Sequence, residues 1–271
     1  MKPTPVTISG STALVTGAGS GIGRATALAL GSAGARVLAA DLDPTSAEKT
    51  AADCGGHAFE VDVSDPERVG ALAAEVIAGH GAPDIVVNNA GVGMSARFLD
   101  MDLDDWRWII GINLLGAVHI SMAFGPAMIE RGSGHVVNVA SGLAYTPRAT
   151  EPGYVTTKAA VLAFTQCLRA DWHDRGIGVS AICPGVINTN IVRSNTRYKG
   201  ERADAATISN VQKAFKRGHP PEKVADAIVD AVRRNRSVVP VGFEATFGWV
   251  TRSLIPTRLA DLGARTQIRG L

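Results

Sequence analysis

Apolar positions along the chain fall into two alternating patterns. Short aliphatic or β-branched runs occur at Ala13 to Thr16, Arg36 to Ala40, His57 to Val61, Ile85 to Asn88, His135 to Ala140, Val179 to Cys183 and Ser237 to Val241, each the length of a strand. Between most of them lie alanine-rich stretches with helical spacing: Ile22 to Ala33, Thr45 to Asp53, Asp65 to Gly79, Leu103 to Ile129, Tyr154 to Asp174 and Pro221 to Arg234. The strand runs are mainly apolar rather than alternating, so the sheet they build is covered on both faces. Alternation of this kind predicts an α/β fold: a Rossmann-type, doubly wound, seven-stranded parallel sheet with helices on both faces. No repeat, low-complexity tract or Pro/Gly-rich linker interrupts it, which predicts a single domain over residues 1–271.

Three stretches depart from the pattern. Over about 186–220, Gly, Asn, Thr, Ser and scattered basic residues replace it for longer than an ordinary connection; a substrate-binding lid and a solvated insertion of two short helices are both compatible with it. Trp108 to Ile129 has no Asp, Glu, Lys or Arg and is long enough to cross a bilayer. Asn113, His119, Ser121, Pro126 and three glycines lower its apolarity, so a helix buried all round, by its own sheet and a second subunit, is expected instead. The tail, about 243–271, sets Phe243, Phe247, Val250 and Leu254 on one helical stripe, with Leu259 and Leu262 beyond it among Arg252, Arg258, Arg265 and Arg269. That composition suits a subunit seam or an anionic membrane surface, and the short stripe and modest charge favour the seam.

Composition narrows the function classes. The chain is 46% hydrophobic and 19% charged with a formal charge of +2, enough apolar residue for a large core and no global field for nucleic acid. Cys54, Cys167 and Cys183 are odd in number and widely spaced, which points to a reducing, cytoplasmic compartment and no structural metal. The histidines, at 57, 80, 119, 135, 173 and 219, are dispersed and argue against a metal-dependent mechanism. Met1 to Gly10 lacks the pattern of a secretory signal.

Candidate chemistry begins after the first strand. The run Thr16-Gly17-Ala18-Gly19-Ser20-Gly21-Ile22-Gly23 opens the first helix, where backbone N–H groups and the positive helix end can hold a pyrophosphate. Asp41 ends the second strand, where a carboxylate would accept the adenosine ribose hydroxyls; a 2′-phosphate would meet like charge there, and neither Ser20 nor Leu42 supplies a compensating base. NAD is therefore expected over NADP. Tyr154 and Lys158 are four apart and share one helical face. A phenol is a poor base at neutral pH; an adjacent ammonium and a cationic nicotinamide would both favour the phenolate, and lowering its pKa by about 3 corresponds to roughly 4 kcal/mol. Ser141, ending the fifth strand, could bind the substrate oxygen.

With Ser141 in place the sequence resembles the short-chain dehydrogenase/reductase family over nearly its whole length. The resemblance rests on Thr16-Gly-x-x-x-Gly-x-Gly23, Asp62, Asn88-Asn89-Ala90-Gly91, Asn113, Ser141, Tyr154-x-x-x-Lys158 and Pro184-Gly185, in order. It implies that Tyr154 exchanges a proton with the reacting oxygen while Ser141 orients that oxygen. It also implies that Lys158 lowers the tyrosine pKa and binds nicotinamide ribose, and that Asn113 holds a water linking Lys158 to a proton relay. Cofactor contacts are implied for Gly17, Gly19, Ser20, Gly21, Ile22, Gly23, Asp41, Leu42, Asp62, Val63, Asn89, Ala90, Gly91, Tyr154, Lys158, Pro184, Gly185, Ile187 and Thr189. Substrate contacts are implied for Ser141, Met94, Leu143, Ala144, Tyr145 and the lid. A homo-oligomer follows by the same resemblance, a tetramer before a dimer, built partly on the helices that begin at Leu103 and Tyr154.

The expected activity is hydride transfer between NAD and a secondary alcohol or ketone, with an apolar substrate (alicyclic, steroid-like or lipid-derived), since the implied contacts are mainly apolar. The alternatives are an NADPH-dependent ketone or 3-oxoacyl-thioester reductase, which Asp41 disfavours, and a non-catalytic NAD-binding sensor, which would not need Asn113, Ser141, Tyr154 and Lys158 together. An enoyl reductase has a wider Tyr-to-Lys gap in its family pattern. Small molecules rather than nucleic acid or membrane are the expected partners.

Overall fold

The computed structural model describes Pro3, residues 5–255 and Ala264. Its strands are β1 (Thr12–Thr16), β2 (Arg36–Asp41), β3 (His57–Glu60), β4 (Ile85–Asn88), β5 (Gly93–Ser95), β6 (Gly134–Val139), β7 (Ile177–Pro184), β8 (Thr196–Tyr198) and β9 (Val238–Val241). Seven of them form one parallel sheet in the order β3-β2-β1-β4-β6-β7-β9. The order reverses between β1 and β4, which opens a crevice at the carboxyl ends of the strands.

Helices α1 (Gly21–Ser32), α2 (Pro44–Cys54), α3 (Pro66–His80), α4 (Leu103–Ile110), α5 (Gly116–Arg131), α6 (Pro152–Trp172) and α9 (Pro221–Arg234) cover the sheet. Successive strand residues feed opposite layers: Val15 and Val37 pack with Leu30 and Ile228 on one face, and Leu14 and Leu38 with Val76 and Phe124 on the other. That is why the strand runs read as mainly apolar rather than alternating. Helix starts are written locally: Asp43 accepts the N–H of Thr45, and Asp65 those of Glu67 and Arg68, each with proline in the first turn.

Two features lie outside the sequence expectation. The helix that begins at Leu103 is interrupted by a π-helical turn over Gly111–Leu115, between α4 and α5. From Leu103 to Arg131 it is long and apolar enough to cross a membrane by length and composition, yet Ile120, Phe124 and Met128 lie inside the core. Leu103, Leu115 and Met122 are exposed, so the chain itself covers this helix on one side, not all round. The second feature is the short parallel pair β5–β8, with Gly93 opposite Thr196 and Ser95 opposite Tyr198.

The stretch after β7 contains α7 (Ile191–Ser194), β8, a 3-10 turn at Gly200–Ala203 and α8 (Ala205–Lys216). Its middle is clasped to α4: Lys199 bridges Asp102 at 2.8 Å and the buried Asp105 at 2.5 Å, and Arg197 pairs with Asp105 while stacking on Trp108. The final described helix is α10 (Phe243–Thr251). It packs through Ala245, Gly248 and Trp249, and its stripe of Phe243, Phe247, Val250 and Leu254 faces outward. Leu259, Leu262, Arg258, Arg265 and Arg269 lie outside the described residues.

Candidate active site

At the crevice the Thr16–Gly23 run forms the wall of a cleft of about 680 Å³. Gly17 sits at φ +64°, and a Cβ there would lie 2.9 Å from the Ala90 backbone, so only glycine allows the β1 and β4 loops to close together. Asn89 stitches the same loops, its amide donating to Thr16 O and Gly17 O. Gly17, Ser20, Gly21 and Ile22 line the cleft, whereas Gly19 and Gly23 do not. Those two act through packing: a Cβ on Gly23 would meet Gly17 O at 1.9 Å, and one on Gly19 would meet Ser46 Oγ at 2.0 Å. Ser20 caps α1 without a side-chain hydrogen bond, which leaves the helix-end N–H groups available to an anion.

Further round the cleft come Asp41 and Leu42, Asp62 and Val63, then Asn89, Ala90 and Gly91, and across from them Pro184, Gly185, Ile187 and Thr189. Asp41 is held rigidly: Oδ2 accepts the Gly19 N–H at 2.8 Å and Oδ1 that of Asp43 at 3.1 Å. Asp62 is turned partly inward, accepting from both the N–H and hydroxyl of Ser64.

Ser141, at the end of β6, and Tyr154 and Lys158, on the first turns of α6, meet at the base of the cleft. Burial pushes the Tyr154 phenol up to about 12, opposed by the neighbouring Ser141 hydroxyl and reinforced by the charge of Glu151. The expected lowering by Lys158 is therefore not present in the protein alone. The Lys158 Nζ is 6.0 Å from the ring centroid and donates to Val139 O at 2.9 Å, and burial lowers its pKa to about 8. Desolvation dominates for both groups, and each is held in its neutral form more firmly than in water.

Asn113 occupies the π turn, the kind of helix irregularity that recurs at functional sites. Its side chain is tied to its neighbours: Oδ1 accepts the Val92 N–H at 2.8 Å, and Nδ2 donates to Val92 O and to Thr157 Oγ1. Thr157 in turn donates to Tyr154 O. A Cβ on Gly91 would lie 3.2 Å from Asn113 Oδ1 and 3.4 Å from Lys158 Nζ, so this glycine lets both approach the loop. Thr157 was missed in the sequence, where a buried threonine beside a lysine carries no signal of its own.

A second cavity, of about 150 Å³, shares Ser141, Tyr154, Pro184 and Gly185 with the cleft and extends under the stretch after β7. Met94 and Leu143 line it, as expected, together with Ile191, Val192, Val211 and Phe215. Ala144 and Tyr145 do not: Tyr145 is turned away, its hydroxyl donating to Ala245 O at 2.7 Å and its ring against Trp249. Glu244, on α10, also lines the cavity and accepts the Val186 N–H at 2.7 Å. Nothing in the sequence marked it, because its partner is a backbone group 58 residues away.

The family model described as short chain dehydrogenase matches residues 11–200. The protein named probable oxidoreductase EphD of Mycobacterium tuberculosis is 46% identical over 242 residues, 85% of this chain and 41% of that protein, so the chain spans about two fifths of its length. D-threitol dehydrogenase of Mycolicibacterium smegmatis is 39% identical over 203 residues, 73% of this chain and 77% of that protein. A crystal structure of a short chain dehydrogenase/reductase from Burkholderia phymatum, in complex with NAD, matches with a TM-score of 0.83 at 28% identity, covering 96% of this chain and 97% of that one. The chain belongs to the short-chain dehydrogenase/reductase family and has its Rossmann-type fold.

Proposed function

We propose that the chain is an NAD-dependent dehydrogenase/reductase interconverting a secondary alcohol and a ketone on a mainly apolar substrate. One observation carries the reading: Ser141 and Tyr154 line both the cleft and the smaller cavity, so an oxygen held by them in one lies beside whatever occupies the other.

The cleft fits a nicotinamide dinucleotide in shape and chemistry. Gly17 and Gly91 keep its walls free of side chains where a Cβ would intrude, and Asp41 is oriented as an acceptor for ribose hydroxyls. Lys158 is the one Lys or Arg among the described residues lining it, which supports NAD over NADP, since a 2′-phosphate at Asp41 would find no cation. The NAD held by the Burkholderia structure agrees with this choice.

Bound NAD supplies the hydride acceptor. As the phenolate, which the Lys158 ammonium and a cationic nicotinamide would favour over the neutral form held in the protein alone, Tyr154 would take the hydroxyl proton while the carbinol carbon gives its hydride to the nicotinamide, leaving the ketone; in reduction the phenol would return the proton to the same oxygen. Ser141 orients that oxygen and donates to the charge that develops on it. Lys158, presented from α6 and steadied by Val139 O, binds the nicotinamide ribose and supplies positive charge beside the phenol. Asn113 fixes Val92 and, through Thr157, the first turn of α6.

Met94, Leu143, Val192, Val211 and Phe215 give the cavity an apolar wall, which supports an apolar substrate although the mycolicibacterial relative is named for a polyol. The stretch after β7 is the lid, and exposed Leu115, at the end of the π turn, and Met122 on α5 supply a seam for a homo-oligomer, a tetramer by family habit. Rates with NAD and NADP on a panel of apolar secondary alcohols and polyols test the reading. Strict preference for a polyol, or for NADP, would overturn it.

A further inference from the structure

The cavity beside Tyr154 is apolar along most of its wall but not throughout. Arg148 and Glu151, both absent from the dinucleotide cleft, line it together with Ser95 and Tyr198. Neither side chain has an ion-pair partner within 4.0 Å among the described residues. Behind Ser95 lies Arg202, only 6% exposed. Its Nε donates to Ser95 Oγ at 3.0 Å, and its Nη2 is buried without a hydrogen-bond partner.

A buried guanidinium is ordinarily matched by a carboxylate, because an uncompensated charge inside a protein is costly. Here the charges do not balance. Two guanidinium groups, Arg148 and Arg202, act on one carboxyl, Glu151, and burial pushes that carboxyl up from its ordinary value against their pull. Tyr198, the other titratable neighbour, is also raised by burial and stays neutral, its hydroxyl committed to Val192 O. The cluster is short of negative charge, and it opens onto the space where the substrate sits.

Resting on the dehydrogenase reading, we propose that this cluster is an acid-binding subsite: a carboxylate on the substrate docks on Arg148 beside Glu151, with Arg202 supplying unpaired positive charge behind Ser95. The substrates are then amphipathic hydroxy or oxo acids. Their reacting carbon lies at Tyr154 and Ser141, and their apolar middle lies along Met94, Val192, Val211 and Phe215. A planar carboxylate suits the fork of a guanidinium.

The test compares a straight-chain methyl carbinol with the same chain ended by a carboxylate, as substrates of the NAD-loaded full chain. The acid is expected to show a kcat/KM higher by about tenfold or more, as for a charge-assisted contact. Arg148→Gln should collapse that ratio and Arg148→Lys should restore part of it. Equal rates for the two substrates, or a ratio that survives Arg148→Gln, overturn the subsite and leave the alcohol–ketone reading standing. Binding of the saturated carboxylate of the same length, which has no reacting hydroxyl, is titrated in parallel. Binding that depends on Arg148 without turnover of either alcohol would uphold the subsite and remove the proposed reaction; no binding to the unaltered protein would overturn the subsite.

Discussion

The carboxylate of Asp41 accepts the backbone N–H of Gly19 across 2.8 Å, from the end of β2 to the turn before α1. The bond holds this carboxylate at the rim of the cleft, so on the proposed reading a selection against a 2′-phosphate would rest on a side chain that the backbone orients in advance. Asp41→Ala combined with Leu42→Arg removes the repulsion and adds a cation. The NAD-to-NADP preference is expected to fall by at least about tenfold, and competition titration of the two cofactors measures it. Tighter binding of NADP than NAD by the unaltered protein would contradict the argument.

Tyr154→Phe deletes the transferable proton and almost no volume. Turnover should drop by about a thousandfold or more while the dissociation constant for NAD changes by less than about threefold. Lys158→Met should weaken NAD binding as well as turnover. Single-turnover rates and fluorescence titration separate the two effects, and near-normal kcat in the phenylalanine variant would remove Tyr154 from its role.

Burial holds the Lys158 ammonium down to about 8, whereas in an unfolded chain it titrates near ~10.4. Between these values the unfolded state binds more protons, so stability rises with pH through that window; below it, both states are protonated and the full cost of burying the charge remains. Tyr154 works in the opposite sense at higher pH, since a phenol raised to about 12 loses stability as the unfolded tyrosine ionises near ~10. Lys158→Met should therefore be the more stable protein near neutral pH, with the gap narrowing as pH approaches about 10. Denaturant midpoints across that range check it; a pH-independent gap would refute it.

Glu244 reaches from α10 to the Val186 N–H, next to Pro184 and Gly185, which both the cleft and the cavity share. Glu244→Ala removes that hydrogen bond, worth about 0.5–1.5 kcal/mol. The loss should appear as a raised KM for cofactor and substrate, with kcat less affected, and Glu244→Gln should recover most of it. Equal KM values in all three proteins would deny the contact any positioning role.

The stripe of Phe243, Phe247, Val250 and Leu254 is exposed, with Phe243 at 78%, and the opposite side of α10 contacts the Tyr145 loop. Ending the chain after Gly242 should lower oligomer stability or raise KM without abolishing NAD binding. Sedimentation, cofactor titration and liposome flotation tell the cases apart. An unchanged oligomer with vesicle binding lost on truncation would favour a membrane role for the tail.

What could be read from the sequence was local. The β1 turn and α1 follow from glycine spacing after an apolar run, and Tyr154 and Lys158 follow from a helical repeat, so the cleft was visible before the fold. Contacts between distant segments were not. The β5–β8 pair has three residues in each strand, too few for any period to register, and Glu244, Arg202 and Thr157 owe their places to partners that only the fold brings near. Tyr145 was assigned to the substrate by family resemblance, whereas in the structure its hydroxyl donates to Ala245 O. The pKa directions also escaped, because desolvation depends on the depth of a site and sequence carries no depth.

The π turn at Gly111–Leu115 has a consequence for phase. Each residue added to a helix rotates everything beyond it by about 100°, so the local widening lets α4 and α5 obey different alignments within one rod. The half before Asn113 is timed to the stretch after β7 through Asp102 and Asp105, and the half after it to the core through Ile120, Phe124 and Met128. A one-residue deletion within the turn would convert it to plain α-helix and force one of those alignments to yield. Substitutions on either half, in contrast, leave the other in register, so the clasp of Lys199 and Arg197 on Asp102 and Asp105 can change without repacking the core.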